Sequence, residues 1–131
     1  MNRWAGVAAG LVLMVAAAHA EGAIPVTIQA EGLNISLATA PNPPARIEAT
    51  AFEISIRDAT GNPVGGARVG LDLSMPAHHA MSENRPRVHE REPGRYVAAG
   101  AFSMGGEWVA IVEVLLADGR RARAEFPLRV R

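Results

Sequence analysis

Met75, His78, His79 and Met81 fall within seven consecutive positions of a 131-residue chain that has five methionines and four histidines in all. A second stretch, Phe102-Ser103-Met104-Gly105-Gly106-Glu107-Trp108, carries a further methionine. Thioether sulfur is a soft, neutral donor that selects Cu(I), and imidazole accepts Cu(II) as well. Neighbouring side chains of an extended segment point opposite ways. His78 and His79 therefore reach one ion together only where the chain turns between them. Met75, His78 and Met81 are spaced three apart, and Met104 would close the set from the second stretch. The candidate donors are Met75, His78, His79, Met81 and Met104, and the candidate ion is copper, with Cu(I) favoured. The bland alternatives are equally concrete. Methionine fills irregular gaps in cores, and it also forms adaptable contact surfaces for protein partners.

Composition narrows the field. There is no cysteine, which removes thiolate-ligated zinc, iron–sulfur clusters, blue copper and thiol redox chemistry. The formal net charge is zero, so no electrostatic pull on nucleic acid is expected. No nucleophile elbow or other catalytic signature accompanies the serines, histidines and aspartates, and the expectation is a protein that is not an enzyme. Glu83 and Glu90 lie near histidines without the fixed spacing of a zinc site. Every one of the 13 basic residues is arginine.

The elements that must position the donors read as strands. Residues 1–20 have the form of an export signal: Arg3, an apolar run from Ala5 to Ala17, then Ala18-His19-Ala20 as a cleavage site. The run is short for a membrane span. Retention as an uncleaved anchor is the alternative, and the only route to a membrane. Residues 21–131 then form one domain, exported and held together by packing without disulfides. Ile24, Val26 and Ile28 alternate with polar positions, as do Leu33, Ile35 and Leu37. Ala40-Pro41-Asn42-Pro43-Pro44 interrupts pairing, because proline has no N–H to donate. Phe52, Ile54 and Ile56 mark the next strand, and Ala67, Val69, Leu71 and Leu73 the one that runs into Met75.

A short strand is expected around Val88. Glu92-Pro93-Gly94-Arg95 suits a turn with positive φ at the glycine. Tyr96, Ala98 and Gly100 continue to Phe102, Gly105-Gly106 reads as a tight reversal, and the run from Trp108 to Leu116 is the most apolar and so central. Asp118-Gly119 is a hairpin signal. In the last strand Ala122, Ala124, Phe126, Leu128 and Val130 face inward, with Trp108 and Phe126 the expected largest core pieces. No helical period appears after residue 20. About seven short strands predict an all-β, immunoglobulin-like antiparallel sandwich. Counting reversals along the chain puts the Met75–Met81 stretch and Met104 at the same end, and His89 lower on a descending strand.

Met75-Pro76, His78-His79 and Met81, then Pro93-Gly94-Arg95-Tyr96, then Phe102 to Trp108, together resemble the YtkA-like domains, related to the FixH-like proteins of bacteria. The resemblance runs from about Pro44 to Arg129. It implies a small exported or membrane-anchored β-sandwich. Some members of the family are associated with copper handling or with assembly of haem–copper oxidases. The expected function is a periplasmic copper-binding carrier or chaperone, with a haem–copper oxidase assembly partner or another envelope copper protein as its counterpart. The alternative is a non-enzymatic interaction or assembly module of the cell envelope, without metal.

Overall fold

The computed structural model describes residues 25–76 and 84–131. The expected export signal, with His19, and the donors His78, His79 and Met81 lie outside the described residues. Eight strands follow one another: β1 (Val26–Ala30), β2 (Leu33–Ala40), β3 (Thr50–Asp58), β4 (Arg68–Ser74), β5 (Val88–Glu92), β6 (Arg95–Gly100), β7 (Gly106–Leu115) and β8 (Arg121–Val130). One sheet has the order β1-β2-β3-β6-β5 and the other β4-β7-β8, and all pairings are antiparallel. The two sheets pack face to face. The all-β sandwich expected from alternation is what forms, with eight strands instead of about seven.

Period-two patterning explains each layer. In β3, Phe52, Ile54 and Ile56 are buried between exposed or half-exposed neighbours. In β8, Ala122, Ala124, Phe126 and Val130 are buried, while Leu128 is half-buried. β7 is the central strand of its sheet and buries Trp108, Ala110, Val112 and Val114. β1 departs from expectation: Val26 is 55 % exposed. This strand pairs only with β2, and only its second half, Ile28 and Ala30, packs on the core. The core aromatics are also more numerous than expected. Tyr96, Phe52 and Phe102 are as fully enclosed as Trp108 and Phe126.

Tyr96 ties the two sheets together. Its phenol donates to the carbonyl of Val64 at 2.9 Å and accepts the N–H of Ala67 at 3.2 Å. Both partners lie in the connection from β3 to β4. Burial raises the phenol above its usual pKa near 10. Because the folded state holds this proton more tightly, the contribution is present in full below pH about 10. It is lost as pH rises from there through the folded value. Tyr96→Phe is expected to cost about 0.5–1.5 kcal/mol by removing the partner of a part-buried N–H and carbonyl. Urea denaturation at neutral pH checks the loss, and the wild-type advantage should shrink at strongly alkaline pH.

Turn chemistry sets the lower end. The Pro93-Gly94 turn joins β5 to β6, with Gly94 at φ +82°. A Cβ there would stand 2.6 Å from the Cβ of Pro63, so only glycine fits. Leu116-Ala117-Asp118-Gly119 closes the hairpin from β7 to β8, with the Gly119 N–H donating to the Leu116 carbonyl at 2.9 Å.

Candidate functional site

Leaving β4, the chain enters Met75 at the upper end of the sandwich. Ser74 pairs with Val109, so Met75 stands level with the start of β7. Met75 is 8 % exposed and belongs to the core. Its Cε methyl would lie 2.8 Å from a Cβ built on Gly106, whose φ is +127°. Glycine at 106 therefore serves two needs: a backbone conformation that L side chains rarely adopt, and room for the end of Met75. The plug-like role that sequence reasoning offered for the methionines falls to Met75.

Met104 faces the other way. It is 39 % exposed, one of three large apolar side chains left open among the described residues. Its backbone is fixed from below. The Trp108 indole N–H donates to the Met104 carbonyl at 3.0 Å. Trp108 packs edge-on against Phe102, with ring centroids 5.0 Å apart at 71°, and Phe102 packs on Phe52 at 6.0 Å and 60°. Such aromatic pairs add about 0.5–1.5 kcal/mol beyond the area they bury. A thioether on the surface thus sits on a loop braced by the aromatic centre of the core.

The segment from 102 to 106 is not the tight reversal expected from Gly105-Gly106. β6 and β7 belong to different sheets, so the chain crosses the end of the sandwich here. Met75 and Met104 still come to one end, because both the end of β4 and the start of β7 lie at this rim.

Asn84 completes the geometry. Its carbonyl accepts the N–H of Leu73 at 2.8 Å, and its side-chain amide donates to the carbonyl of Ala101 at 2.9 Å. One residue thereby clasps the end of β4 and the entry to the Met104 loop. Pro76 and Asn84 bracket the segment that carries His78, His79 and Met81, and both stand at the rim that bears Met104. Nothing in the sequence singled out Asn84, because a side-chain amide that bridges two segments leaves no periodic trace.

Ile47 adds an apolar neighbour. Its N–H donates to the carbonyl of Phe102 at 2.7 Å, its φ is +71°, and it is 72 % exposed. Positive φ at a β-branched residue is a genuine outlier. The sequence offered no signal for it.

His89 lies on β5 opposite Val97, away from this rim, in accord with the reversal count. Among the described residues no three His, Cys, Asp or Glu side chains converge as metal ligands. The rim carries two thioethers, an exposed one at Met104 and a buried one at Met75.

Solved structures share the fold. A DUF4426 family protein from Pseudomonas aeruginosa PAO1 superposes with a TM-score of 0.61 at 12% identity, covering 80% of this chain and 93% of its own. The Lin-41 filamin domain gives 0.54 at 19%, covering 74% and 91%. The copper-reconstituted P19 protein of Campylobacter jejuni gives 0.54 at 11%, covering 83% and 96%. No curated protein sequence matches the chain. The sequence profile described as YtkA-like matches residues 27–113, from β1 into β7, and so takes in both methionine-bearing stretches. The chain belongs to the YtkA-like family.

Proposed function

We propose that this protein is an exported, periplasmic copper carrier or chaperone whose cargo, Cu(I), is held at the upper rim by Met104 with Met81, His78 or His79, and Met75. One observation carries the reading: Asn84 clasps both Leu73 and Ala101. The seven residues between Pro76 and Asn84 are thereby tethered at both ends to the rim that exposes Met104. A tether of that length can reach only a limited distance from its fixed ends. The donor chemistry fits the ion. Two or three thioethers with one imidazole form a soft, largely neutral set, which suits Cu(I). Copper bound by P19, on a similar sandwich, supports the idea that this architecture can carry the metal.

A carrier needs a partner to unload to, and the apolar side chains of Ile47 and Met104 at the same end would meet it. A haem–copper oxidase assembly factor or another envelope copper protein is the proposed counterpart. Ile47 also favours the second reading, an interaction or assembly module without metal, because strained backbone positions cluster at ligand clamps and other functional sites. Nothing in either reading calls for catalysis.

Anaerobic titration of residues 21–131 with Cu(I), in competition with a colorimetric chelator, separates the two. The carrier reading expects one Cu(I) withdrawn from the chelator per chain. A chain that leaves the chelator fully loaded contradicts it and leaves the metal-free module.

A further inference from the structure

Two arginines flank a leucine on the outer face of the β4-β7-β8 sheet, and we infer that this row binds a phosphate monoester, with both guanidiniums gripping the phosphate above an apolar floor. Arg68, Leu115 and Arg121 are Cα partners across the three strands. They share the outward face, since buried and outward residues alternate along each strand. The row lies at the lower end of the sandwich, away from the Met104 rim.

Elsewhere on this face the central strand answers arginine with glutamate. Glu107 stands opposite Arg129 and forms an ion pair with it. Glu113 stands opposite Arg123 at 3.9 Å, and Arg123 also reaches Glu125 at 3.1 Å. Opposite charges directly across a ladder are favourable. Leu115 breaks this pattern, and it does so where arginines approach from both sides. Both arginines are exposed, and neither side chain has an ion-pair or hydrogen-bond partner among the described residues. A bound anion would supply the charge that position 115 lacks.

The space and the chemistry agree on the ligand. A groove of about 730 Å³ at this row takes in Arg68, Leu115, Arg121, Arg123, Glu31 and Glu113, a volume within the range of ligand clefts, about 300–1,000 Å³. Its arginines outnumber its carboxylates, and Glu113 is met by Arg123. One row up, Gly70 has no side chain, and a Cβ there would meet nothing within 4 Å. The groove therefore continues past the arginine pair, with room for the organic group that a phosphate carries. Arg68 and Arg121 stand two strand spacings apart, about 10 Å between backbones, so their guanidiniums can close on one small group from opposite sides. Guanidinium binds phosphate oxygens through paired N–H donors. Two positive charges with no carboxylate between them match a phosphate monoester, which carries about −1.5 to −2 at neutral pH, better than a single carboxylate.

NMR titration of isotope-labelled residues 21–131 with glycerol phosphate tests the site for a soluble ester. Flotation with phosphatidylcholine vesicles, with and without phosphatidic acid, tests it for the same group on a lipid. Saturable shifts at the Arg68 and Arg121 side chains, or flotation only with phosphatidic acid, support the site and tell the two sources apart. Arg68→Gln and Arg121→Gln should each weaken binding by about tenfold or more. Leu115→Glu supplies the carboxylate from within and should abolish binding, whereas Leu115→Gln, without the charge, should bind as the wild type does. Arg46→Gln, at the opposite end, should change nothing. Amide spectra of each variant show that it remains folded. No binding to either probe, an equal loss in Arg46→Gln, or a Leu115→Glu variant that binds like the wild type would overturn the assignment. None of these outcomes depends on copper.

Discussion

Trp108→Ala is expected to remove about 3–5 kcal/mol of folding stability, the usual cost of truncating a large buried aromatic side chain. The indole is 2 % exposed, meets Phe102 edge-on at 5.0 Å, and supplies the hydrogen bond to the Met104 carbonyl. A single domain of this size has only about 5–15 kcal/mol in total. The midpoint of thermal unfolding should fall by about 15 °C or more. Denaturation in urea measures the change directly, and a variant that melts with the wild type would remove Trp108 from the core. Trp108→Phe is the informative companion. It keeps most of the ring packing and loses the N–H, so it should be far milder for stability while freeing the Met104 loop. A fall in copper affinity in a variant that remains folded would show that the aromatic centre serves the rim as well as the fold.

The largest functional effect is expected from removing the soft donors together. A His78→Ala, Met81→Ala, Met104→Ala variant should bind Cu(I) at least about a hundredfold more weakly, since losing even an outer partner of a metal ligand costs about 10–100-fold. Two of these residues lie between Pro76 and Asn84, and the third is exposed at 39 %, so the fold should survive. Met75 behaves differently because of where it is. It is 8 % exposed and tucked against Gly106. Met75→Leu conserves volume and should cost less than about 1.5 kcal/mol. Met104→Leu removes a sulfur from the surface and should weaken copper binding more than Met75→Leu does. Competition titrations across the series check the order. A triple variant that competes as well as the wild type would make the rim a contact surface and nothing more.

Strand alternation made most of the fold legible. The inward set of β8 and the three buried residues of β3 follow from period two alone. Aspartate-glycine and proline-glycine pairs located the turns before β8 and β6. What periodicity could not encode is which sheet a strand joins. Gly105-Gly106 reads as a tight reversal, yet it lies where the chain crosses from one sheet to the other. Alternation in β1 likewise implied a buried Val26, but of this edge strand only Ile28 and Ala30 pack on the core.

The reversal count made the placement of Met75 and Met104 at one end of the sandwich legible. That Met75 faces the core and Met104 faces solvent was not, since both follow strand ends and nothing local distinguishes them. The Asn84 clasp and the positive φ of Ile47 were invisible because each depends on contacts distant in sequence.

X-ray absorption at the copper edge tests the shared rim most directly. Residues 21–131 are loaded with one equivalent of Cu(I), alongside Met104→Leu. The account predicts sulfur together with nitrogen in the inner shell of the wild type, and one sulfur fewer in the variant. A wild-type shell of nitrogen and oxygen alone, or a shell that the substitution leaves intact, would contradict it.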